Sequence, residues 1–319
     1  MEKKESVSKM IEDVERETSK IVVGQREIIH AILRAVLCNG HVLVEGVPGV
    51  AKTLIVRSIA RILGCDMKRI QFTVDLLPTD ITGIMSYIPK KGFSIMKGPV
   101  FTNFILADEI NRSPPKTQSA LLEAMQERSV TIARETYSLP NPFFVMATEN
   151  PLEVSGVYSL PEAQIDRFLF KVLIGYPKED EEKKILRSNM TINKFESFNL
   201  ESVLNAKKIL NLQAQVKEVF TSEVVEEYIV NVVKETRNKA GEFGKYVSYG
   251  ASPRASIALY IASKAEALMK GRDYVTPEDV QTVVYPVLRH RVILNYEAEA
   301  EDVTTDRVIR HILSKVSAP

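Results

Sequence analysis

The run His41-Val42-Leu43-Val44-Glu45-Gly46-Val47-Pro48-Gly49-Val50-Ala51-Lys52-Thr53 constrains this chain more than any other. An apolar strand candidate ends in a tight Gly/Pro loop, and a Lys-Thr pair then opens a helical pattern. Such a junction aims several backbone N–H groups and a helix N-terminus at one point, an arrangement that suits a polyphosphate. Lys52 would reach the β- and γ-phosphates, and the Thr53 hydroxyl would ligate Mg²⁺. The loop residues Gly46, Val47, Pro48, Gly49, Val50 and Ala51, with Leu54 just inside the helix, would line the site. The spacing departs from the usual phosphate loop only at Ala51, where glycine normally precedes the lysine. Alanine is expected there with a negative φ. The competing reading is an ordinary strand–turn–helix connection.

Around this loop, residues 21–177 alternate short apolar runs with helical segments, the pattern of a parallel α/β sheet covered on both faces. Strand candidates fall at 42–45, 69–73, 103–107, 143–147 and 169–173. Phe104-Ile105-Leu106-Ala107 and Phe143-Phe144-Val145-Met146-Ala147 are continuously apolar, as strands buried on both faces should be. Residues 84–97 and 129–139 interrupt the alternation and read as two hairpins. On pattern alone they are surface decoration. Residues 1–20 form an amphipathic helix, with Val7, Met10, Ile11 and Val14 on one side. Beyond Gly175-Tyr176-Pro177 helical periodicity takes over, so 178–319 is expected to be a small all-α domain. Ser252-Pro253-Arg254 and Thr276-Pro277-Glu278-Asp279 each put a capping hydroxyl before an N1 proline.

A chain of 319 residues exceeds the size at which single cores stop growing, which agrees with this division. The 26% charged fraction nets only +1 and holds no long block of one sign, which disfavours non-specific nucleic-acid binding. Its densest basic spots, Lys68-Arg69, Lys90-Lys91 and Arg289-His290-Arg291, read as solvated faces. Cys38 and Cys65 share no metal-ligand spacing and fit a reduced, cytoplasmic compartment. No window approaches the ~20 apolar residues that cross a bilayer, and the N-terminus has no apolar signal-peptide core.

Two further strand ends carry chemistry. Asp108 and Glu109 follow the buried run 104–107, and acids at the C-terminal end of such a strand lie at the ligand crevice. Asp108 would hold Mg²⁺ beside Thr53, and Glu109 would polarise a water for attack on the γ-phosphate. Paired acids are also common in plain loops. Asn150 ends the next apolar strand, as a turn residue or as a hydrogen-bond donor to the γ-phosphate or its water. Arg167, in Leu160-Pro161-Glu162-Ala163-Gln164-Ile165-Asp166-Arg167-Phe168, pairs with Glu162 or Asp166, or else projects toward a neighbour's nucleotide.

Taken together, Val23-Gly24-Gln25, the 45–53 loop, Asp75-Leu76-Leu77-Pro78-Thr79-Asp80-Ile81-Thr82-Gly83, Asp108-Glu109-Ile110-Asn111-Arg112, Pro114 to Met125 and Ser252-Pro253-Arg254 resemble the MoxR branch of the AAA+ ATPases over about residues 20–315. That branch itself carries Ala at position 51. Glu149 stands where many members have Gln. The resemblance implies an ATP/ADP and Mg²⁺ site with Lys52 and Thr53 as Walker A pair, Asp108 and Glu109 as Walker B pair and Asn150 as sensor 1. It makes Arg167 the arginine finger and Arg254 the sensor 2 residue, and gives Val23, Gly24 and Gln25 to the adenine pocket. The hairpins become insertions facing the channel of a hexameric ring, and Arg112 a candidate contact to the neighbouring subunit. The implied fold is a P-loop AAA+ five-stranded parallel sheet with flanking helices and two hairpin insertions, followed by a helical lid. The implied activity is chaperone-like remodelling or maturation of client protein complexes, with a von Willebrand A domain protein as partner. A nucleic-acid motor and a non-hydrolysing nucleotide-dependent scaffold are the alternatives.

Overall fold

A computed structural model describes residues 2–47, 49–89, 92–151, 157–188 and 195–319. Pro48 and Lys90-Lys91, part of the loop and hairpin readings above, lie outside them. Two compact units emerge: residues 10–168 with 172–210, and residues 211–319 with 1–9 and 169–171.

The larger unit is built as its periodicities dictate. Helix α1 (Glu2–Ser19) buries Val7, Ile11 and Val14 along one stripe. Helix α2 (Arg26–Leu37) buries Ile28, Ile29, Ile32, Leu33 and Val36, again at helical spacing. Strand β1 (Val42–Gly46) leads through the loop to α3 (Lys52–Ile62). That helix stops because Gly64 takes φ +62 and the Cys65 N–H returns to the Ala60 carbonyl at 2.9 Å, a Schellman closure. Next come β2 (Met67–Gln71), the short α4 (Pro78–Thr82), β3 (Gly83–Ile88), β4 (Gly92–Lys97) and β5 (Phe104–Asp108). The unit continues with α5 (Pro115–Glu127), β6 (Ser129–Ile132), β7 (Glu135–Ser138), β8 (Phe144–Glu149), α6 (Glu162–Ile165), β9 (Phe170–Ile174) and α7 (Glu179–Ser188).

Five strands form the main sheet in the order β2-β5-β8-β1-β9. The pairs β2–β5, β5–β8 and β1–β8 are parallel. Phe104, Ile105, Leu106 and Ala107 are fully buried, because helices cover the sheet and leave no solvent face for alternation to mark. Phe72, Ile105, Leu121, Val145 and Phe168 belong to one continuous core beneath the sheet's acid-bearing strands. Both hairpins are present as separate two-stranded antiparallel sheets, β3 with β4 and β6 with β7. The first exposes Tyr87 and Phe93, whose rings meet edge to face at 5.5 Å.

The second unit holds most of α8 (Ala206–Glu218), then α9 (Glu223–Glu235), β10 (Val247–Tyr249), α10 (Pro253–Met269), α11 (Pro277–Leu288), β11 (Ile293–Leu294), α12 (Tyr296–Ala300) and α13 (Thr305–Lys315). Ala255, Ala258, Ala262 and Ala265 recur along α10 and are buried, so neighbouring helices approach it closely. The unit is helical, with one short antiparallel pair, β10–β11, that the periodicity reading did not contain. The helical segment starting at 179 lies within the sheet unit. One capping expectation is corrected. Pro253 sits at N1 of α10, but Ser252 makes no side-chain cap bond. At α11 the Asp279 carboxylate accepts from the Thr276 N–H at 2.9 Å and its hydroxyl at 3.1 Å, the carboxylate half of a capping box.

Candidate active site

Strand β1 ends where it must. A Cβ on Gly46 would sit 2.5 Å from the Ile174 carbonyl oxygen, so only glycine lets β9 pack there. Gly49 takes φ +85, a region open to glycine, and a Cβ there would meet nothing within 4 Å. Ala51 is the surprise. Its φ is +59 and ψ +26, left-handed rather than the negative φ expected from its sequence. The loop keeps the backbone path that a glycine would take, and alanine bears the steric cost of about 1–2 kcal/mol. Ala51→Gly is therefore expected to stabilise the fold by about 0.5 kcal/mol, once glycine's extra unfolded-state entropy is deducted. A denaturant titration of both proteins measures it; a loss of stability would contradict the left-handed assignment.

The first bond of α3 runs from the Ile55 N–H to the Ala51 carbonyl, which leaves the amides of Lys52, Thr53 and Leu54 outside the helical ladder. Lys52 Nζ donates to the Gly46 carbonyl at 2.6 Å, so the ammonium folds back over the loop. Burial pulls its pKa below the ordinary lysine value, while the carboxylates of Asp108, Glu109 and Glu45 pull the other way.

Asp108 closes β5, and Glu109 follows in a left-handed conformation at φ +56, ψ +53. A non-glycine residue held there is strained, and such strain gathers at functional sites. Thr148 on the adjacent strand β8 fixes both acids. Its hydroxyl donates to Asp108 Oδ1 at 2.8 Å and accepts from the Glu109 N–H at 2.8 Å. Glu109 Oε2 accepts from Gln71 Nε2 at 2.9 Å and from Arg112 Nη1 at 3.0 Å. Asp108 Oδ2 accepts from Arg69 Nε at 3.0 Å and Nη2 at 2.7 Å.

Gly49, Val50, Ala51, Lys52, Thr53, Leu54, Asp108, Glu109 and Asn150 line one cavity of about 410 Å³, together with Arg69. Asn150 is buried at its wall. Residues far apart in sequence thus meet because β8 lies between β5 and β1 in the sheet. Val23, Gly24 and Gln25 line a different cavity of about 790 Å³ with residues of α1, α2 and α7. Arg167 is exposed, and its Nη1 donates to the Leu122 carbonyl at 3.0 Å. Arg112 holds Glu109 of its own chain. Arg254 stands exposed on the first turn of α10 in the second unit.

Three residues of this site were not singled out by sequence. Lys68-Arg69 reads as a solvated basic spot, yet Arg69 pairs with Asp108. Gln71 and Thr148 carry no motif. Alternate residues of a strand share a face, so placing Arg69 and Gln71 within reach of the acids required only the neighbour relation β2–β5.

The residues suit magnesium triphosphate. An ammonium, helix N-terminal amides, a hydroxyl and two carboxylates converge on a cavity of small-ligand size. Among the described residues no group of three His, Cys, Asp or Glu side chains forms a self-sufficient metal cage. Magnesium characteristically takes one or two carboxylates plus substrate phosphates instead.

Comparison with known proteins agrees with the geometry. Residues 41–170 match the model of the ATPase family associated with various cellular activities (AAA), and residues 243–312 match an AAA lid domain. The chain is 47% identical over 310 residues to Chaperone MoxR1 of Mycobacterium tuberculosis, covering 95% of this chain and 81% of that protein. It belongs to the MoxR-type AAA+ ATPases. To Protein MoxR of Methylorubrum extorquens this MoxR-type chain is 32% identical over 326 residues, covering 96% and 94% of the two. A crystal structure from Cytophaga hutchinsonii superposes with a TM-score of 0.91 at 47% identity, over 100% of this chain and 97% of the other. The α/β sheet with a helical lid is the AAA+ architecture that the resemblance implied.

Proposed function

We propose that this MoxR-type protein hydrolyses MgATP at the interfaces of a homo-oligomeric ring and uses the cycle to remodel or mature protein complexes. The observation carrying the chemistry is the shared cavity, in which Lys52, Thr53, Asp108, Glu109 and Asn150 surround one space. Lys52 and the amides at the start of α3 bind the phosphates. Thr53 and Asp108 hold the divalent cation, which when bound neutralises charge on the phosphate oxygens. Glu109 takes a proton from the attacking water, and Asn150 orients that water. Arg167 of an adjacent copy faces the transferred group, and Arg254 reports on nucleotide state to the lid. Val23, Gly24 and Gln25 hold the adenine end.

Remodelling of protein, rather than transport along nucleic acid, is supported by the near-neutral charge of +1 and by a relative named as a chaperone. The partner is a protein with a von Willebrand A domain, and the compartment is the cytoplasm. Among the described residues no helix is long and apolar enough to cross a membrane.

Calorimetry of ATP with magnesium, on wild type and Lys52→Ala, tests the site. Wild-type uptake is expected, with a loss of about 10²-fold or more in the variant, since a half-buried, charge-assisted contact is removed. Equal affinity of the two proteins, or no uptake by folded wild type, would refute the reading. Phosphate release measured with added duplex DNA separates the classes: strong DNA stimulation would replace the remodelling role with a nucleic-acid motor.

A further inference from the structure

Asp108 is already occupied by a positive charge of the chain itself. Both Nε and Nη2 of Arg69 donate to one oxygen, Oδ2, at 3.0 and 2.7 Å, while Thr148 holds Oδ1. In the β2–β5 register Arg69 lies opposite Leu106 and Gln71 opposite Asp108, so Arg69 reaches forward along the sheet to the acid. Its side chain is 50% exposed against 15% for Asp108. The guanidinium therefore stands between the carboxylate and solvent, at the wall of the cavity that also contains Lys52 and Thr53. A cation approaching Oδ2 meets a like charge and two donors already seated there.

Resting on the MgATP reading above, we infer that Arg69 is a charge gate on Asp108. It competes with the divalent cation for Oδ2 and so sets the magnesium concentration at which nucleotide is taken up. It is a positioning residue, acting on the metal through Asp108. Its removal should make metal-dependent loading easier, the opposite of what loss of a phosphate-binding arginine would do.

The test is binding of a fluorescent ADP analogue titrated with magnesium chloride. An exposed charged pair is worth on the order of a two- to fivefold change in an equilibrium constant. The magnesium midpoint of Arg69→Gln is thus expected to fall by about that factor. Arg69→Lys, which keeps a charge without the paired donors, should fall between it and wild type. In an Asp108→Asn background, Arg69→Gln should leave the midpoint where it is, since the contested oxygen no longer carries charge. A merely structural role would not depend on Asp108 in this way. A midpoint that is unchanged or raised by Arg69→Gln, or shifted equally with and without Asp108, overturns the gate while leaving the nucleotide site standing. Failure of the wild type to take up any nucleotide removes both.

Discussion

Glu109→Gln is expected to bind ATP within about threefold of wild type and to release phosphate about 10²–10⁴-fold more slowly, the usual share of a general base. The substitution is nearly isosteric. Gln71 and Arg112 both approach Oε2, and an amide oxygen there can still accept from them, so the side chain should stay in place while losing its basicity. The backbone at φ +56 is unaffected, because its N–H is held by Thr148 rather than by the side chain. Calorimetry and phosphate release on the same preparation separate the two effects. Undiminished turnover would strip Glu109 of its role. Under the proposed remodelling cycle, a variant that binds without turning over is expected to retain its client, and a pull-down with it tests this.

The other large effect concerns Arg167. Arg167→Ala should retain nucleotide and lose about 10³–10⁵-fold in turnover, the range for an arginine that stabilises phosphoryl-transfer charge. Its Nη1 donates to the Leu122 carbonyl at 3.0 Å, and the residue itself is exposed while the next, Phe168, is fully buried. A role in trans makes a sharper demand. In rings mixed with Glu109→Gln subunits, some interfaces combine an intact Glu109 with an intact Arg167, and activity should return. Two inactive proteins that stay inactive when mixed would mean that Arg167 serves its own chain only.

Much of this was written in the sequence because it follows local rules. A Gly/Pro loop between an apolar strand and a helix, acids at the end of Phe104 to Ala107, and apolar alternation on either side of a turn all report themselves within a dozen residues. The five strands appear within a residue or two of their expected bounds. What could not be read depends on strand neighbours. Nothing in Lys68-Arg69 says that β2 lies beside β5, since parallel partners are far apart in sequence. Thr148 is an unremarkable residue until β8 pairs with β5 and brings its hydroxyl to both acids. Ala51 misled for a different reason. Its preferred backbone region is a property of the free residue, and the loop's geometry overrode it. The β10–β11 pair is too short, at three and two residues, for alternation to register.

The place of β8 has a consequence for any motion of the site. Val44 stands level with Thr148 on one side of that strand, and Ala107 with Ala147 on the other. A displacement at Asn150 would be felt through β8 by both flanking strands, one leading toward α3 and the other ending in Asp108. Under the proposed cycle, the residues assigned to hold nucleotide and the carboxylate assigned to activate water would then move together.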